Sequence, residues 1–291
     1  MTRDFLGDPS EPLMRIRDFT SAKVLILLLV GIIAFGNSAR AQHDHEHDDE
    51  GSDHSHLHFS HPLVAESPSP DTKVRLDHFF GDIGGDEPGS SNVLRLEAEY
   101  AFHPSFSVEV NVPYVFLSPD DGASVSRLGN TEVGLKFGNF AFAEHGVLLG
   151  YGLEVGLPTG SDGTGIGSDH ILEIEPFLNV GYKRDMLEAI GFAAFGIPTN
   201  QEEGEEIETE FAYNLSVLYH LSQRVEAVVE LDGETVLSGE EDEAIANLSP
   251  GFKLKPLAAT PLQIGFGVGF PLTTDRAFDV RTVFSLFYHF D

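Results

Sequence analysis

Residues 262–270 read Leu-Gln-Ile-Gly-Phe-Gly-Val-Gly-Phe. In an extended chain successive side chains point to opposite faces. Leu262, Ile264, Phe266, Val268 and Phe270 therefore share one face, and a glutamine and glycines share the other. Residues 131–137, Thr-Glu-Val-Gly-Leu-Lys-Phe, repeat the pattern: Val133, Leu135 and Phe137 oppose Glu132, Gly134 and Lys136. A strand apolar on one face and polar or glycine on the other suits a barrel with lipid outside and water inside. A soluble β-sandwich alternates too, with its apolar face inward, so the remainder of the chain has to choose.

Working outward, segments of this kind recur at 73–83, 92–103, 105–116, 130–141, 146–157, 170–182, 186–197, 208–221, 224–236, 245–256, 262–271 and 278–290. Their lengths match tilted membrane strands of roughly 9–11 residues. The connections at 103–105, 143–146, 183–185, 222–223 and 258–261 are short; those at 84–91, 117–129, 158–169, 198–207, 237–244 and 273–277 are longer, and the two kinds alternate. That layout predicts an all-β, membrane-spanning, antiparallel up-and-down β-barrel of about 12 strands, occupying residues 71–291.

The outward stripes include Phe106, Val108, Val110, Val112, Tyr114 and Phe116; Val147, Leu149, Tyr151, Leu153 and Val155; and Phe211, Tyr213, Leu215, Val217 and Tyr219. Aromatic residues near stripe ends suit interfacial girdles, built here from Tyr and Phe because the chain has no Trp. Residues 186–197 are ambiguous: Ala193, Phe195 and Ile197 compete with Ile190, Phe192 and Ala194 for the outward face. The last segment carries Val280, Thr282, Phe284, Leu286, Tyr288 and Phe290 on one face. Gram-negative barrels usually end in an aromatic residue that the barrel assembly machinery, the first expected partner, recognises. Here Phe290 is penultimate and Asp291 is last, a departure that bears on assembly efficiency and not on the fold. The apolar stripes name outer-membrane lipid as the second partner.

The N-terminus carries an apolar run at 24–35 preceded by Arg15, Arg17 and Lys23 and followed by Ala39-Arg40-Ala41. This reads as a secretory signal peptide, residues 1–41, cleaved after Ala41; Met14 is an alternative start because Asp4, Asp8 and Glu11 sit poorly in a basic leader. The chain has a formal net charge of −30, which argues against nucleic acid as a partner. It contains no cysteine, so neither disulfides nor thiolate metal sites are available.

Residues 42–70 form a His/Asp/Glu-rich tract that we expect to be disordered, because dense charge and sparse apolar residues cannot offset chain entropy. His43, His45, His47, His54, His56, His58 and His61 are its candidate metal ligands. Neutral imidazole binds zinc, copper or nickel, and binding weakens as protons compete. No cofactor is required by anything in the sequence; a divalent metal (Zn, Cu or Ni) is the one candidate. The acidic stretches at 201–210 and 238–243 are candidate cation-gathering loops, with solubilisation the blander reading.

The predicted inner face is polar and mostly acidic. Glu97, Glu99, Glu109, Glu132, Glu154, Glu173, Glu175, Glu226 and Glu230, with Lys136, Lys253 and Arg281, are the candidate pore-lining residues. Carboxylates in a bore attract cations. Inward glycines, among them Gly134, Gly138, Gly150, Gly152, Gly156, Gly265, Gly267 and Gly269, favour open space or strand curvature. No hydrolase elbow, zincin helix or phosphate loop is present; Gly163–Gly167 has no predicted helix after it, which a cofactor fingerprint needs.

Leu128-Gly129-Asn130-Thr131-Glu132-Val133-Gly134-Leu135-Lys136-Phe137, with Leu157-Pro158-Thr159-Gly160, resembles the outer-membrane transporter-like family named for the MetA pathway of phenol degradation. The resemblance implies a barrel from about Lys73 onward and a transporter-like role. Here Asn130 stands for the family's Asp and Phe137 for its Tyr. The expectation is a non-enzymatic outer-membrane channel of a Gram-negative cell passing small, preferentially cationic solutes, with the histidine tract in the periplasm. Two alternatives stay open: a channel for hydrophobic or aromatic compounds, for which Phe79, Phe177 and Phe287 are inward candidates, and a plugged, non-transporting metal-binding barrel.

Overall fold

The structure, a computed structural model, describes residues 57–84, 88–200, 208–238, 244–257 and 260–290. Among the described residues thirteen strands follow one another: β1 (Lys73–Ile83), β2 (Gly89–His103), β3 (Phe106–Pro119), β4 (Val125–Leu128), β5 (Thr131–Asn139), β6 (Val147–Leu157), β7 (Leu172–Arg184), β8 (Leu187–Thr199), β9 (Glu210–His220), β10 (Val225–Val236), β11 (Ala244–Leu254), β12 (Leu262–Pro271) and β13 (Val280–His289). Each wall strand pairs antiparallel with its neighbours, and β1 pairs with β13 from Lys73↔His289 to Asp82↔Val280. That last pairing closes a 12-strand barrel, so the wall itself has no free edge. No described helix is long and apolar enough to cross a membrane.

The thirteenth strand is β4. It pairs only with the end of β3, from Tyr114↔Leu128 to Leu117↔Val125, whereas β5 takes the wall position along Phe106–Asn111. The stretch 117–129, expected to be a loop, is thus partly a hairpin that extends β3 past the wall.

Alternation in the strands translates directly into two surfaces. On β5, Val133, Leu135 and Phe137 are exposed outward, and Glu132, Gly134 and Lys136 are buried inward. Exposed Tyr151, Leu153, Leu178, Val180, Phe195, Ile197, Leu215, Val217, Phe266, Phe270 and Phe284 continue the apolar belt around the barrel. The ambiguous strand is resolved: on β8, Phe195 and Ile197 face out, while Ile190 and Ala194 face in and are fully buried. What buries them lies inside the barrel.

Candidate functional site: a plugged lumen

Residues 57–72 run into the lumen from the end where the connections are short and where β1 starts and β13 finishes. The expectation that 42–70 is disordered fails for its described part, 57–70. His43, His45, His47, His54 and His56 lie outside the described residues, as do most of the acidic stretches at 201–210 and 238–243.

Phe59 (0% exposed) and Leu63 (1%) anchor this plug in an apolar ring made by Leu148, Ile190, Leu218, Val228, Val283 and Phe287. The inner face is therefore not polar throughout. Burying two side chains of this size contributes about 1.5–3 kcal/mol each. Inward glycines make the seat. A Cβ on Gly181 would stand 2.7 Å from the Phe59 ring, one on Gly265 2.4 Å from Leu63, one on Gly150 2.9 Å from Pro68, and one on Gly138 2.7 Å from Pro70. The glycines at this end are occupied by the plug, not by water.

Polar wall residues grip the plug backbone. The Glu230 carboxylate accepts N–H bonds from Leu63 (2.9 Å), Val64 (3.1 Å) and Ala65 (3.3 Å), and a hydroxyl bond from Ser216 (3.0 Å). Glu188 accepts from Ser60 N (2.8 Å). Lys253 donates to the His61 carbonyl (2.7 Å), Lys183 to that of His58 (2.8 Å), Asn179 to that of Glu66 (2.7 Å) and Arg75 to that of Leu63. Buried backbone groups need such partners, and here the barrel wall supplies them from strands distant in sequence.

A charge cluster sits beside the grip. Lys73 reaches Glu99 (2.6 Å), Glu97 (2.7 Å) and Glu66 (3.5 Å); Lys136 reaches Glu66 (3.2 Å), Glu99 (3.2 Å) and Glu109 (3.5 Å). Arg75 pairs with Asp77 (2.8 Å), which also takes Arg95 (2.9 Å). Glu66 belongs to the plug and the others to the wall, so its pairs with Lys73 and Lys136 cross the interface and the rest brace the wall around it. Burial opposes ionisation of Glu66, but Lys73, Lys136, His61 and Arg75 together hold its carboxyl well below the usual carboxylate range. Removing one partner of a buried pair costs about 3–5 kcal/mol.

At the long-loop end the lumen carries different chemistry. Arg281 pairs with Asp232 (2.9 Å), and Asn247 donates to the same carboxylate (3.0 Å). Glu132, Glu154, Glu173 and Glu175, with Gly156, line a small cavity. Glu97, Glu99, Glu109, Glu132, Glu226, Glu230, Lys136 and Lys253 are all buried on the inward face, and Glu154, Glu173, Glu175 and Arg281 are partly buried there. The structure divides this one predicted set in two: those holding the plug and those beyond it.

The paired motifs at 128–137 and 157–160 meet beside this cavity. Asn130 Oδ1 accepts from Gly160 N (3.2 Å) and Ser168 N (3.0 Å), and Thr159 Oγ1 accepts from Thr131 N (2.8 Å). Gly160 is required there, because a Cβ would fall 2.7 Å from Gly167 Cα. The loop so ordered gathers Asp162, Asp169 and His170, an exposed group with metal-ligand atoms close together.

His58 and His61, the two tract histidines that are described, stand at the foot of the plug. Both approach Asp71, and so does His289. Asp71, Glu66, Glu188 and Asn179 carry the site yet were not among the sequence candidates. A signal existed: Leu148, Ile190, Leu218, Val228 and Val283 are apolar at inward positions where a water-filled bore wants polarity, and Leu57, Phe59, Leu63 and Val64 interrupt the polar tract.

No protein-family model matches the chain, and neither does any curated protein sequence. Solved structures do. An outer membrane channel from Pseudomonas putida F1 superposes with a TM-score of 0.57 at 11% identity, covering 83% of this chain and 99% of that one. This chain has the fold of outer-membrane channel barrels. The NanC porin is similar as well, with a TM-score of 0.52 at 6% identity over 76% of this chain and 99% of its own. At such identities the likeness is one of fold.

Proposed function

We propose that the chain is an outer-membrane channel for small solutes with a preference for cations, closed in this state by its own plug. The observation that carries this reading is a closed barrel with a lipid-suited outer belt whose long-loop end is lined by Glu132, Glu154, Glu173 and Glu175. Clustered carboxylates with low-dielectric walls concentrate cations. Both ends of the barrel chain lie at the short-turn end, which in outer-membrane barrels faces the periplasm; the plug then closes the periplasmic mouth. The histidine tract, His43 to His61, supplies divalent-metal ligands beside that mouth. The likeness to the P. putida channel and the resemblance of residues 128–137 and 157–160 to the transporter-like family support the same role.

A second reading, a permanently plugged barrel, is favoured by the ion pairs of Lys73 and Lys136 with Glu66 across the plug interface. The aromatic-solute reading gains less support. Arg95 covers Phe79 at 5.0 Å, Arg75 covers Phe287 at 4.8 Å, and Phe177 stacks on Phe192 at 5.8 Å. The test is planar-bilayer current under asymmetric KCl, using protein whose plug is loosened by Glu230→Ala. A cation-selective reversal potential that moves toward zero when Glu132, Glu154, Glu173 and Glu175 become glutamine is expected. A folded, plug-loosened barrel that passes no current would hand the case to the second reading.

A further inference from the structure

One oxygen of Asp71 is approached by three imidazoles. His58 Nε2 and His61 Nε2 each lie 3.1 Å from Asp71 Oδ2, and His289 Nδ1 lies 2.8 Å from it. His58 and His61 come from the plug, Asp71 from the turn into β1, and His289 from the last residue of β13. The ligand atoms of His58, His61 and Asp71 all fall within 4.8 Å of one another. Three imidazole nitrogens crowd Asp71 Oδ2, while Oδ1 accepts from Thr72 N (2.8 Å). His289 adds a third nitrogen beside the shared Asp71 oxygen, and three histidine nitrogens with one aspartate oxygen are donors of the kind that zinc takes. We infer that His58, His61, Asp71 and His289 form a transition-metal site that latches the plug to the last strand.

The surroundings fit that role. His61 is buried, while the His58 side chain is 51% exposed, so the site has both a fixed wall and an open approach from the short-turn end. Burial first, and then Lys73, keep His61 well below the ordinary histidine range, in the neutral form that binds metal. His61 Nδ1 now faces Lys73 Nζ at 3.2 Å, so the ring carries its proton on Nε2. Metal on Nε2 would place the ring proton on Nδ1, so the Lys73 ammonium would have to swing off His61 toward Glu66, 3.5 Å away. Bound metal would join two plug residues to β1 and β13, the seam at which the barrel closes, and so hold the plug in. The latch rests on the reading of residues 57–72 as a gate; the metal site itself does not.

The experiment uses the protein in detergent micelles with His43, His45, His47, His54 and His56 replaced by asparagine, which silences the rest of the tract. Zinc chloride titrated by calorimetry should bind at one equivalent per chain. His289→Ala should weaken it at least about 100-fold. His58→Ala, at a half-exposed position that does not threaten folding, should do the same. Tract-silenced protein that binds no zinc, or binds it unchanged in both variants, overturns the site. Bilayer current is recorded separately, with zinc expected to lengthen closed times. Zinc that binds but leaves closed times unchanged overturns the latch. A barrel silent under every condition defeats the channel reading while the calorimetry still decides the site.

Discussion

Replacing Glu230 with alanine should open the lumen without unfolding the barrel. The Glu230 side chain contributes nothing to the strand ladder of β10, which pairs with β9 and β11 through backbone groups from Val225 to Val236. It does hold a bend of the plug, at Leu63, Val64 and Ala65. Hydrogen bonds to a charged acceptor contribute about 1.5–3 kcal/mol each, and a buried donor left without one costs about 1–3 kcal/mol. Once the plug leaves, water takes up these donors, so only the seated state suffers. Counting about 1 kcal/mol for each of the three N–H groups gives about 3 kcal/mol, which shifts the seated-to-released ratio roughly 100-fold. Two assays read this: the rate at which protease cuts within 57–70 in folded barrel, and single-channel open probability. Glu230→Gln, which keeps one acceptor oxygen, should fall between wild type and alanine. An alanine variant with wild-type protease resistance and a wild-type closed state would refute the argument that the wall carboxylate seats the plug.

Packing and pH give independent handles. Gly181→Val places carbon about where Phe59 and Pro68 already stand, at 2.7 and 2.8 Å from an ideal Cβ; overpacking of about 2 kcal/mol should favour release roughly 30-fold. Gly191→Val is the control, because a Cβ there meets nothing within 4 Å, and it should leave protease sensitivity unchanged. With EDTA present, acidification should release the plug in two stages. His61, faced by Lys73, Asp71 and His289, is held below its ordinary value of 6.5, so the released state takes up the proton first and seating weakens as pH falls below about 6.5. Glu66 is likewise depressed, so its contribution is complete above about 4.5 and is lost as pH falls further. Protease sensitivity flat from pH 7 to 3 would contradict both.

Much of the wall was legible. The stretch 262–271 is β12 to the residue, and 130–141 contains β5, Thr131–Asn139. A period of two is a local property, and lipid outside the barrel makes one face of it uniformly apolar. Legibility failed where that uniformity failed. On β8, Ile190 faces in although it is as apolar as outward Ile197, because its partner is the Phe59 plug anchor and not water. Inward glycines read as space for the same reason: their absent side chains leave room for Leu63, Pro68 and Pro70, which no local pattern connects to them.

The barrel, its approximate strands, its outward face, its inward carboxylates and a histidine-rich approach to it could all be read along the chain, since each rests on composition or on near neighbours. That residues 57–72 enter the lumen, and that Glu99, Glu226, Glu230, Lys136 and Lys253 hold them there, came from the three-dimensional fold. The reason is where the stabilising energy comes from. Judged alone, 57–70 has too few apolar residues to order itself. Its partners Asn179, Glu188, Glu230 and Lys253 lie more than a hundred residues away, and they come into reach only when β1 and β13 meet and the barrel closes.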